Sequence, residues 1–290
     1  MTYRHRTTSL TWIRTLLATR ARRCTWGARK RASTHPATLS MASALGAVIV
    51  PFLPCLPFLL LATLPLRAEA ATLQISPVVV ELGASENASG LTLRNPGDRP
   101  LYGQVRVFQW TQAEGEDVLT PTQDIVASPP LIEIPPHAEQ LVRLVRPNAA
   151  PPGSEQSYRL LIDELPEPDA RNNDGVMIRL RYSVPVFVEP PSTQAAPALA
   201  WSLEHSPQGW QLNVANDGMR RAQISAVELI DRDGKTHMLN KGLLGYALAG
   251  KARRWQVSVP TDAALGNEVT VRAAVNAAPV EAQAHVTASP

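Results

Sequence analysis

The chain has 290 residues, with 28 Lys/Arg against 25 Asp/Glu and a formal net charge of +3. This length is typical of about two domains. Ten of the basic residues but only one acidic residue, Glu69, lie in residues 1–70, so the rest of the chain carries a net charge of −6. This acidic body lacks the basic footprint of a nucleic-acid-binding protein, and we expect no nucleic-acid partner. Both cysteines, Cys24 and Cys55, precede residue 71, so the body has neither a disulfide nor thiolate chemistry.

Residues 1–70 have the composition of a basic leader followed by a secretory signal. An apolar run extends from Ala44 to Leu66 and is interrupted by four prolines, and Ala68-Glu69-Ala70 has the A-x-A form of a signal-peptidase site. A membrane span needs about 20 apolar residues, and the prolines and the cleavage site favour a cleaved signal instead. We expect the mature protein to begin at Ala71, outside the cytoplasm, and the true start to be either Met1 or Met41.

From Ala71 onward, short β-rich runs alternate with turn signals, and no long amphipathic run with helical caps interrupts them. The predicted strands are 73–82, 90–95, 101–110, 137–146, 158–165 and 176–188, then 197–206, 209–216, 222–231, 253–260 and 268–276. Strands at this spacing are typical of β-sandwiches. The chain is therefore predicted to be all-β, with one sandwich in residues 71–190, a proline-rich linker at 191–197 and a second sandwich in 198–290.

An internal echo indicates that the two sandwiches are related. The segments 91–97 and 212–218 each form an alternating strand that ends in an Asn-x-Gly turn. Asparagine and glycine both accept the unusual backbone angles that such turns need.

The segment 176–188 carries the clearest alternation. One face holds a hydrophobic row: Val176, Ile178, Leu180, Tyr182, Val184 and Val186. The other face holds Arg179, Arg181 and Pro185, which suit an edge strand because charge blunts aggregation and proline cannot donate to a ladder. Such an edge is a template for pairing with another protein. The alternative is an ordinary strand whose row fills its own core.

Motifs for catalysis are missing from the body. Its four histidines, His137, His205, His237 and His285, are not at metal-ligand spacing. There is no nucleophile elbow, no H-E-x-x-H motif and no phosphate-binding glycine loop. We therefore expect no catalytic residue, metal or cofactor, and favour binding over catalysis. A hydrolase on a β scaffold is the remaining enzymatic alternative.

Several blocks across about 71–190 resemble the periplasmic chaperones of chaperone–usher pilus assembly, the PapD-like family. These blocks are Ser128-Pro129-Pro130, the run from Pro136 to Leu144 that ends QLVRL, and the run from Glu155 to Pro166 that ends DELP, followed by the alternating strand and Pro190. The second half, with residues 242–250, resembles the family's second domain more weakly.

The resemblance implies two immunoglobulin-like sandwiches in a boomerang arrangement. It also implies that 176–188 is the strand that such chaperones insert into an incomplete pilus subunit, with Val176, Ile178, Leu180, Tyr182 and Val184 as the donor row. The implied partners are pilus or fimbrial subunits and an outer-membrane usher, and the implied location is the periplasm.

The chain departs from the family's pattern at the basic pair that holds the subunit's terminal carboxylate. Pro77 and Pro185 stand at about those positions. Our candidate replacements are Arg179 and Arg181, with Arg159 and Arg143 as alternatives, and the family pattern also suggests a structural ion pair between Arg143 and Glu155. These departures resemble the divergent archaic branch of the family.

A surface adhesin with tandem immunoglobulin-like domains, or a structural pilus component, is the rival interpretation. A subunit of that kind would need a donor extension ahead of its first strand, whereas Ala71 is followed almost at once by the first predicted strand. A second copy of the chain could also cover the donor edge, so self-association in the free state is a further possibility.

Overall fold

The computed structural model describes residues 73–168 and 178–288, and within these ranges every regular element is a β-strand. In chain order the strands are β1 (Gln74–Ser76), β2 (Val80–Leu82), β3 (Ala88–Arg94), β4 (Leu101–Ala113), β5 (Glu116–Pro121), β6 (Val126–Ser128), β7 (Leu131–Ile134), β8 (Glu139–Val145), β9 (Gln156–Leu165), β10 (Arg181–Val188), β11 (Leu199–Ser206), β12 (Gly209–Asn216), β13 (Ala222–Ile230), β14 (Thr236–Ala247), β15 (Lys251–Val257), β16 (Glu268–Val275) and β17 (Ala278–Ala288). No helix long and apolar enough to cross a membrane occurs in the part of the chain that the structure describes. The predicted leader and signal at 1–70 lie outside the described residues.

Strands β1 to β10 form the first sandwich, which consists of two sheets. One sheet has the order β1-β3-β8-β6, and the other has the order β2-β10-β9-β4-β5 with β7 paired to β4. The two sheets bury a single aliphatic core between them, which includes Leu93, Val142, Leu160 and Val186. Burial of this apolar area is what stabilises a cysteine-free domain of this size.

Alternation explains most of these strands. In β8, Val142 and Leu144 are fully buried, whereas Leu141, Arg143 and Val145 point outward and are exposed. The predicted strand at 73–82 does not run straight through, because β1 lies in one sheet and β2 in the other, with a cis Ser76–Pro77 peptide bond between them.

Strands β11 to β17 form the second sandwich as one long, curved sheet with the order β14-β13-β16-β17-β11-β12-β15. Strand β14 at one end of this order also packs against β12 and β15 at the other end. The sheet therefore folds round on itself and encloses a second core, which includes Leu203, Leu212, Ile224 and Val271.

A third, mainly aromatic cluster joins the two sandwiches. Trp110 and Phe187 come from the first sandwich, Tyr246 and Leu248 come from the second, and Val79 packs against them. The ring centroids of Trp110 and Tyr246 are 5.4 Å apart in an edge-to-face arrangement, a preferred geometry for aromatic pairs. Both sandwiches belong to one compact unit, and this cluster is part of what holds it together.

Candidate functional site

One edge of β10 is only partly covered. Strand β9 pairs with β10 along its whole length, from Arg181 opposite Asp163 to Val188 opposite Gln156. On the other edge, β2 pairs with residues 186–188 alone. Residues 181–185 therefore have one side without a partner strand among the described residues.

The backbone groups on that open side can be assigned from the ladder. The Glu164 N–H donates to the Leu180 carbonyl at 3.0 Å, and residues in an antiparallel pair alternate between facing the partner strand and facing away from it. Arg181 and Ser183 therefore direct their backbone N–H and C=O groups towards the open side. Pro185 has no N–H, so the open ladder ends there.

The predicted hydrophobic row divides along its length. Ile178 is 77% exposed and Leu180 is 40% exposed, Tyr182 is half-buried, and Val184 is only 4% exposed within the core of the first sandwich. Val176 lies outside the described residues. Ile178 and Leu180 thus extend the aliphatic row beyond the core of the first sandwich. Val184 packs into that core and holds the strand in place.

Tyr182 stands where the row leaves the sandwich. Its hydroxyl accepts a hydrogen bond from the Leu73 N–H at 3.1 Å and donates to Glu164 Oε1 at 3.2 Å. Burial and the neighbouring Glu164 carboxylate raise the pKa of Tyr182. The Tyr182 ring is therefore held by Leu73, which precedes β1, and by Glu164 on β9.

On the outer face of the same sheet, Asp163 lies between two arginines. The Arg106 Nη2 is 2.7 Å from Asp163 Oδ2, and Arg181 Nε bonds to Asp163 Oδ1. Burial raises the pKa of Asp163, but the hydrogen bonds from Arg106 and Arg181 outweigh it and hold the pKa below its ordinary value. Of the four candidate anchors, Arg181 is thus an ion-pair partner, and Arg179 is exposed beside it.

Arg159 has a different setting. It lies on β9 directly opposite Pro185, and its guanidinium carbon lies 3.7 Å from the centre of the Trp110 ring and 5.7 Å from that of Tyr246. Burial lowers the pKa of Arg159, an effect that the Asp117 charge opposes. Across residues 73–168 and 178–288, no carboxylate lies within ion-pair distance of it.

The indole N–H of Trp110 is a second hydrogen-bond donor next to Arg159. The residue is 3% exposed, yet its indole Nε1–H finds no hydrogen-bond partner among the described residues. Arg159 is half-buried and stacked on this indole, and the N–H donors of its guanidinium suit a carboxylate.

Two further arginines connect the sandwiches. Arg221 lies over the Phe187 ring at 3.7 Å and pairs with both Glu155 and Glu81. Arg220 pairs with Glu189 and lies 3.8 Å from Glu155.

The predicted Arg143–Glu155 pair is therefore wrong. Glu155 is buried against the two arginines of the second sandwich, whereas Arg143 is exposed on the outer face of β8. The family resemblance suggested Glu155 as an ion-pair residue but did not indicate a partner from the other domain.

The aromatic cluster was also missed. Phe187 falls on the face of the strand that carries Arg179 and Arg181, which predicts exposure for a lone strand. The second sandwich covers it through the 242–250 block, which holds Tyr246 and Leu248. In the described residues, no group of three or more His, Cys, Asp or Glu side chains is placed to hold a metal ion.

Residues 72–194 match the family described as pili and flagellar-assembly chaperone, PapD N-terminal domain. Residues 72–194 therefore resemble the N-terminal domain of pilus-assembly chaperones, and the prediction of two immunoglobulin-like sandwiches is confirmed. No curated protein sequence matches the chain significantly.

Solved structures are similar over a larger share of the chain. A chain in the CsuC–CsuE chaperone–tip adhesion subunit pre-assembly complex, from the archaic chaperone–usher Csu pili of Acinetobacter baumannii, is 26% identical, with a TM-score of 0.58 over 76% of this chain and 100% of that one. The YadV chaperone is 18% identical, with a TM-score of 0.52 over 73% of this chain and 98% of that one. The E. coli chaperone DraB is 17% identical, with a TM-score of 0.51 over 73% and 96%. The last two likenesses concern the fold alone, and the first agrees with the predicted relation to the archaic branch.

Proposed function

We propose that this protein is a periplasmic chaperone that captures incomplete pilus or fimbrial subunits by donating the strand around 176–184 and then delivers them to an outer-membrane usher. The observation that carries the proposal is the exposure of Ile178 and Leu180 next to a strand edge that has no partner among the described residues. A sandwich that lacks its last strand exposes an apolar groove and unpaired backbone groups. The donated strand satisfies both.

The energetics favour such an exchange without a cofactor or nucleotide. Full burial of an exposed aliphatic side chain stabilises a complex by about 1.5–3 kcal/mol, and both Ile178 and Leu180 are available for it. The open N–H and C=O groups of Arg181 and Ser183 add main-chain bonds, as in other cases of strand addition. Val184 stays in its own core and keeps the donor strand attached to the chaperone.

Arg159 is the anchor that we propose for the terminal carboxylate of the subunit. It lies opposite Pro185, at the end of the open ladder, and it has no acidic partner among the described residues. Arg181, by contrast, already bonds to Asp163, and Arg143 lies on the opposite sheet. Arg179 is exposed further along the chain, away from the aromatic cluster.

The donor strand is tested by charge insertion at the two exposed positions. Ile178→Asp and Leu180→Asp should each abolish subunit co-purification from the periplasm, because an unpaired carboxylate cannot enter an apolar groove. The control is Leu141→Asp, which alters a leucine of similar exposure on the outer face of β8. All three variants should keep the wild-type melting temperature. Unchanged capture by Ile178→Asp and Leu180→Asp would remove the donor-strand proposal.

The anchor is tested separately. Arg159→Ala should reduce capture at least about tenfold, since charge-assisted bonds to a carboxylate contribute about 1.5–3 kcal/mol. Arg143→Ala should leave capture unchanged. A subunit with an amidated C-terminus should bind wild-type protein as poorly as the native subunit binds Arg159→Ala. Equal loss with Arg143→Ala would contradict this assignment.

Cell fractionation distinguishes the rival function. Recovery of the protein from the periplasm supports the chaperone role and a cleaved N-terminal signal. Recovery from the outer membrane or from assembled fimbriae would favour a tandem immunoglobulin-like adhesin or structural component. That a second copy of the chain covers the open edge remains a prediction. The absence of catalytic activity also remains a prediction.

A further inference from the structure

The outer face of the sheet beside the open edge carries charges that alternate from strand to strand. Arg106 lies on β4, Asp163 on β9 and Arg181 on β10. Arg181 is directly opposite Asp163 in the ladder, and Arg106 reaches the other oxygen of the same carboxylate at 2.7 Å. The sheet thus presents a positive, a negative and a positive group in succession, and it ends with the positive one at the open edge.

Arg181, the last charge of this series, uses only part of its hydrogen-bonding capacity within the described residues. Arg181 bonds to Asp163 through Nε, and its side chain is 62% exposed whereas that of Asp163 is only 15% exposed. Within the described ranges, neither terminal nitrogen of Arg181 has a hydrogen-bond partner. A guanidinium has five N–H donors in a planar fork that suits a carboxylate.

The other acidic group nearby is already engaged. Glu164 Oε2 accepts from the Leu180 N–H at 3.2 Å, and Glu164 Oε1 accepts from the Tyr182 hydroxyl. The surface depression that these residues line holds three arginines, Arg106, Arg179 and Arg181, against Asp163 and Glu164. The terminal nitrogens of Arg181 are therefore the donors that face the edge where a further strand would lie.

We propose that Arg181 selects the partner strand by charge: the strand that pairs with the open edge of β10 carries an Asp or Glu side chain opposite Arg181. This inference rests on the proposed donor-strand function and names the kind of subunit that it serves. Cross-strand neighbours lie about 4.5–5.5 Å apart at Cβ, so opposite charges stabilise the pair and like charges destabilise it. A lysine or arginine at that position would meet Arg181 and be rejected.

The test uses the subunit that co-purifies with the wild-type protein, purified from the complex in denaturant and diluted into an excess of chaperone. Association is followed by fluorescence at low and at high salt. Arg181→Glu should slow association about tenfold at low salt and much less at high salt, because charges at an interface rim act on the association rate and are screened. Arg181→Lys should keep most of the rate, since it keeps the charge.

Exchanging the charges on the two partners makes the test specific for Arg181. Replacing the acidic residue opposite Arg181 in the subunit's pairing strand by Lys should slow capture by the wild-type chaperone and restore capture by Arg181→Glu. Arg94→Glu, which alters an exposed arginine on the opposite sheet, is the control with the same change in net charge and should associate at the wild-type rate.

The outcomes separate the two proposals. Normal association of Arg181→Glu at both salt concentrations, or a pairing strand of the subunit with no acidic residue opposite Arg181, would overturn the charge selection while the donor function stood. Failure of the wild-type protein to capture any subunit would remove both. An equal loss with Arg94→Glu would reduce the effect to net charge and would also overturn the role of Arg181.

Discussion

Two buried asparagines form corresponding sets of hydrogen bonds, one in each sandwich. Asn95 Oδ1 accepts from the Gly97 N–H, and its Nδ2 donates to the carbonyls of Arg99 and Ile134. Asn216 Oδ1 accepts from the Gly218 N–H, and its Nδ2 donates to the carbonyls of Arg220 and Ala247. The echo between 91–97 and 212–218 therefore has a physical basis, because each asparagine side chain satisfies backbone groups of a turn and of a distant strand.

Replacing either asparagine by alanine should be costly. Asn95→Ala and Asn216→Ala each leave buried carbonyls and an N–H without partners, and each unsatisfied group costs about 1–3 kcal/mol. We expect the free energy of unfolding to fall by at least about 2 kcal/mol, measured by urea denaturation. The control is Asn148→Ala, at an exposed loop position. Equal stability of all three variants would show that the buried bonds do not matter.

A buried aspartate–histidine pair in the second sandwich predicts that the stability of the fold depends on pH. His237 Nε2 lies 2.8 Å from Asp231 Oδ2, and since an ionised carboxylate only accepts, the ring nitrogen donates. This hydrogen bond, helped by backbone N–H groups and opposed by burial, lowers the pKa of Asp231 to about 2. A lowered carboxyl pKa stabilises the fold above the unfolded-state pKa of about 3.9, and this stability is lost as the pH falls towards the folded-state value.

The melting temperature of the wild-type protein should therefore drop as the pH is lowered from about 4 to about 2. Asp231→Asn should be less stable at neutral pH but should show a shallower drop over this window. Calorimetry of both proteins at a series of pH values measures the difference. Parallel pH curves for the two proteins would contradict the role of Asp231.

At the scale of elements, β10 combines two environments in one strand. Its first part has an open edge and exposed aliphatic neighbours at 178 and 180, whereas Val184 to Val188 are buried on both faces. Alternation alone predicted the inward row and the edge character. It could not predict that Phe187 would be covered by the other domain, because that burial depends on contacts over a long sequence separation.

The linker is held by a close approach to a glycine. Gly218 packs against the backbone of residues 196–198, so an added Cβ would come within 2.3 Å of the Ala196 carbonyl oxygen. The same approach allows the Asp217 N–H to bond Ala198 O and the Met219 N–H to bond Ala196 O.

Gly218→Ala should push the linker away and break these bonds. We expect the melting temperature to fall by several degrees, the shift that about 1–2 kcal/mol produces in a domain of this size. Gly153→Ala is the control, since nothing lies within 4 Å of the position that its added Cβ would occupy. A Gly218→Ala protein as stable as Gly153→Ala would refute the close-packing argument.

Two long strands, β14 and β17, escaped sequence-based prediction. Strand β17 is rich in alanine, which has a low strand propensity, and the register of β13 against β14 shifts at several points, which interrupts the alternation of burial in β14. Both strands exist because the curved sheet pairs them with their neighbours. Tertiary pairing overrides local preference at these places.

At the scale of the whole molecule, a buried glutamine joins the two sandwiches. Gln112 Nε2 donates to the Tyr246 carbonyl at 2.7 Å, and its Oε1 accepts from the Leu248 N–H at 3.0 Å. Near it, the backbone N–H of Arg254 donates to the Gly115 carbonyl in the β4–β5 turn. Together with the aromatic cluster, these bonds couple the sandwiches.

Gln112→Ala should weaken this coupling more than it weakens either sandwich. We expect one calorimetric transition in the wild-type protein and two partly resolved transitions in the variant, because the cores are separate and only the contact between them is damaged. Gln140→Ala, at a half-buried position where the amide donates to the neighbouring Leu141 carbonyl, should keep a single transition. A single transition in both variants would contradict the coupling role.

The local order of the residues determined the strands, the turns and the alternating row, because side chains two apart share one face of a strand whatever lies around them. From these features the all-β class, the two related sandwiches and the family resemblance followed directly. Tertiary contacts decided the rest: the partners of Glu155, the burial of Phe187 and the setting of Arg159 on Trp110. Each of these depends on groups that lie far apart in the chain or in separate strands, and local periodicity carries no information about which distant groups the fold will bring together.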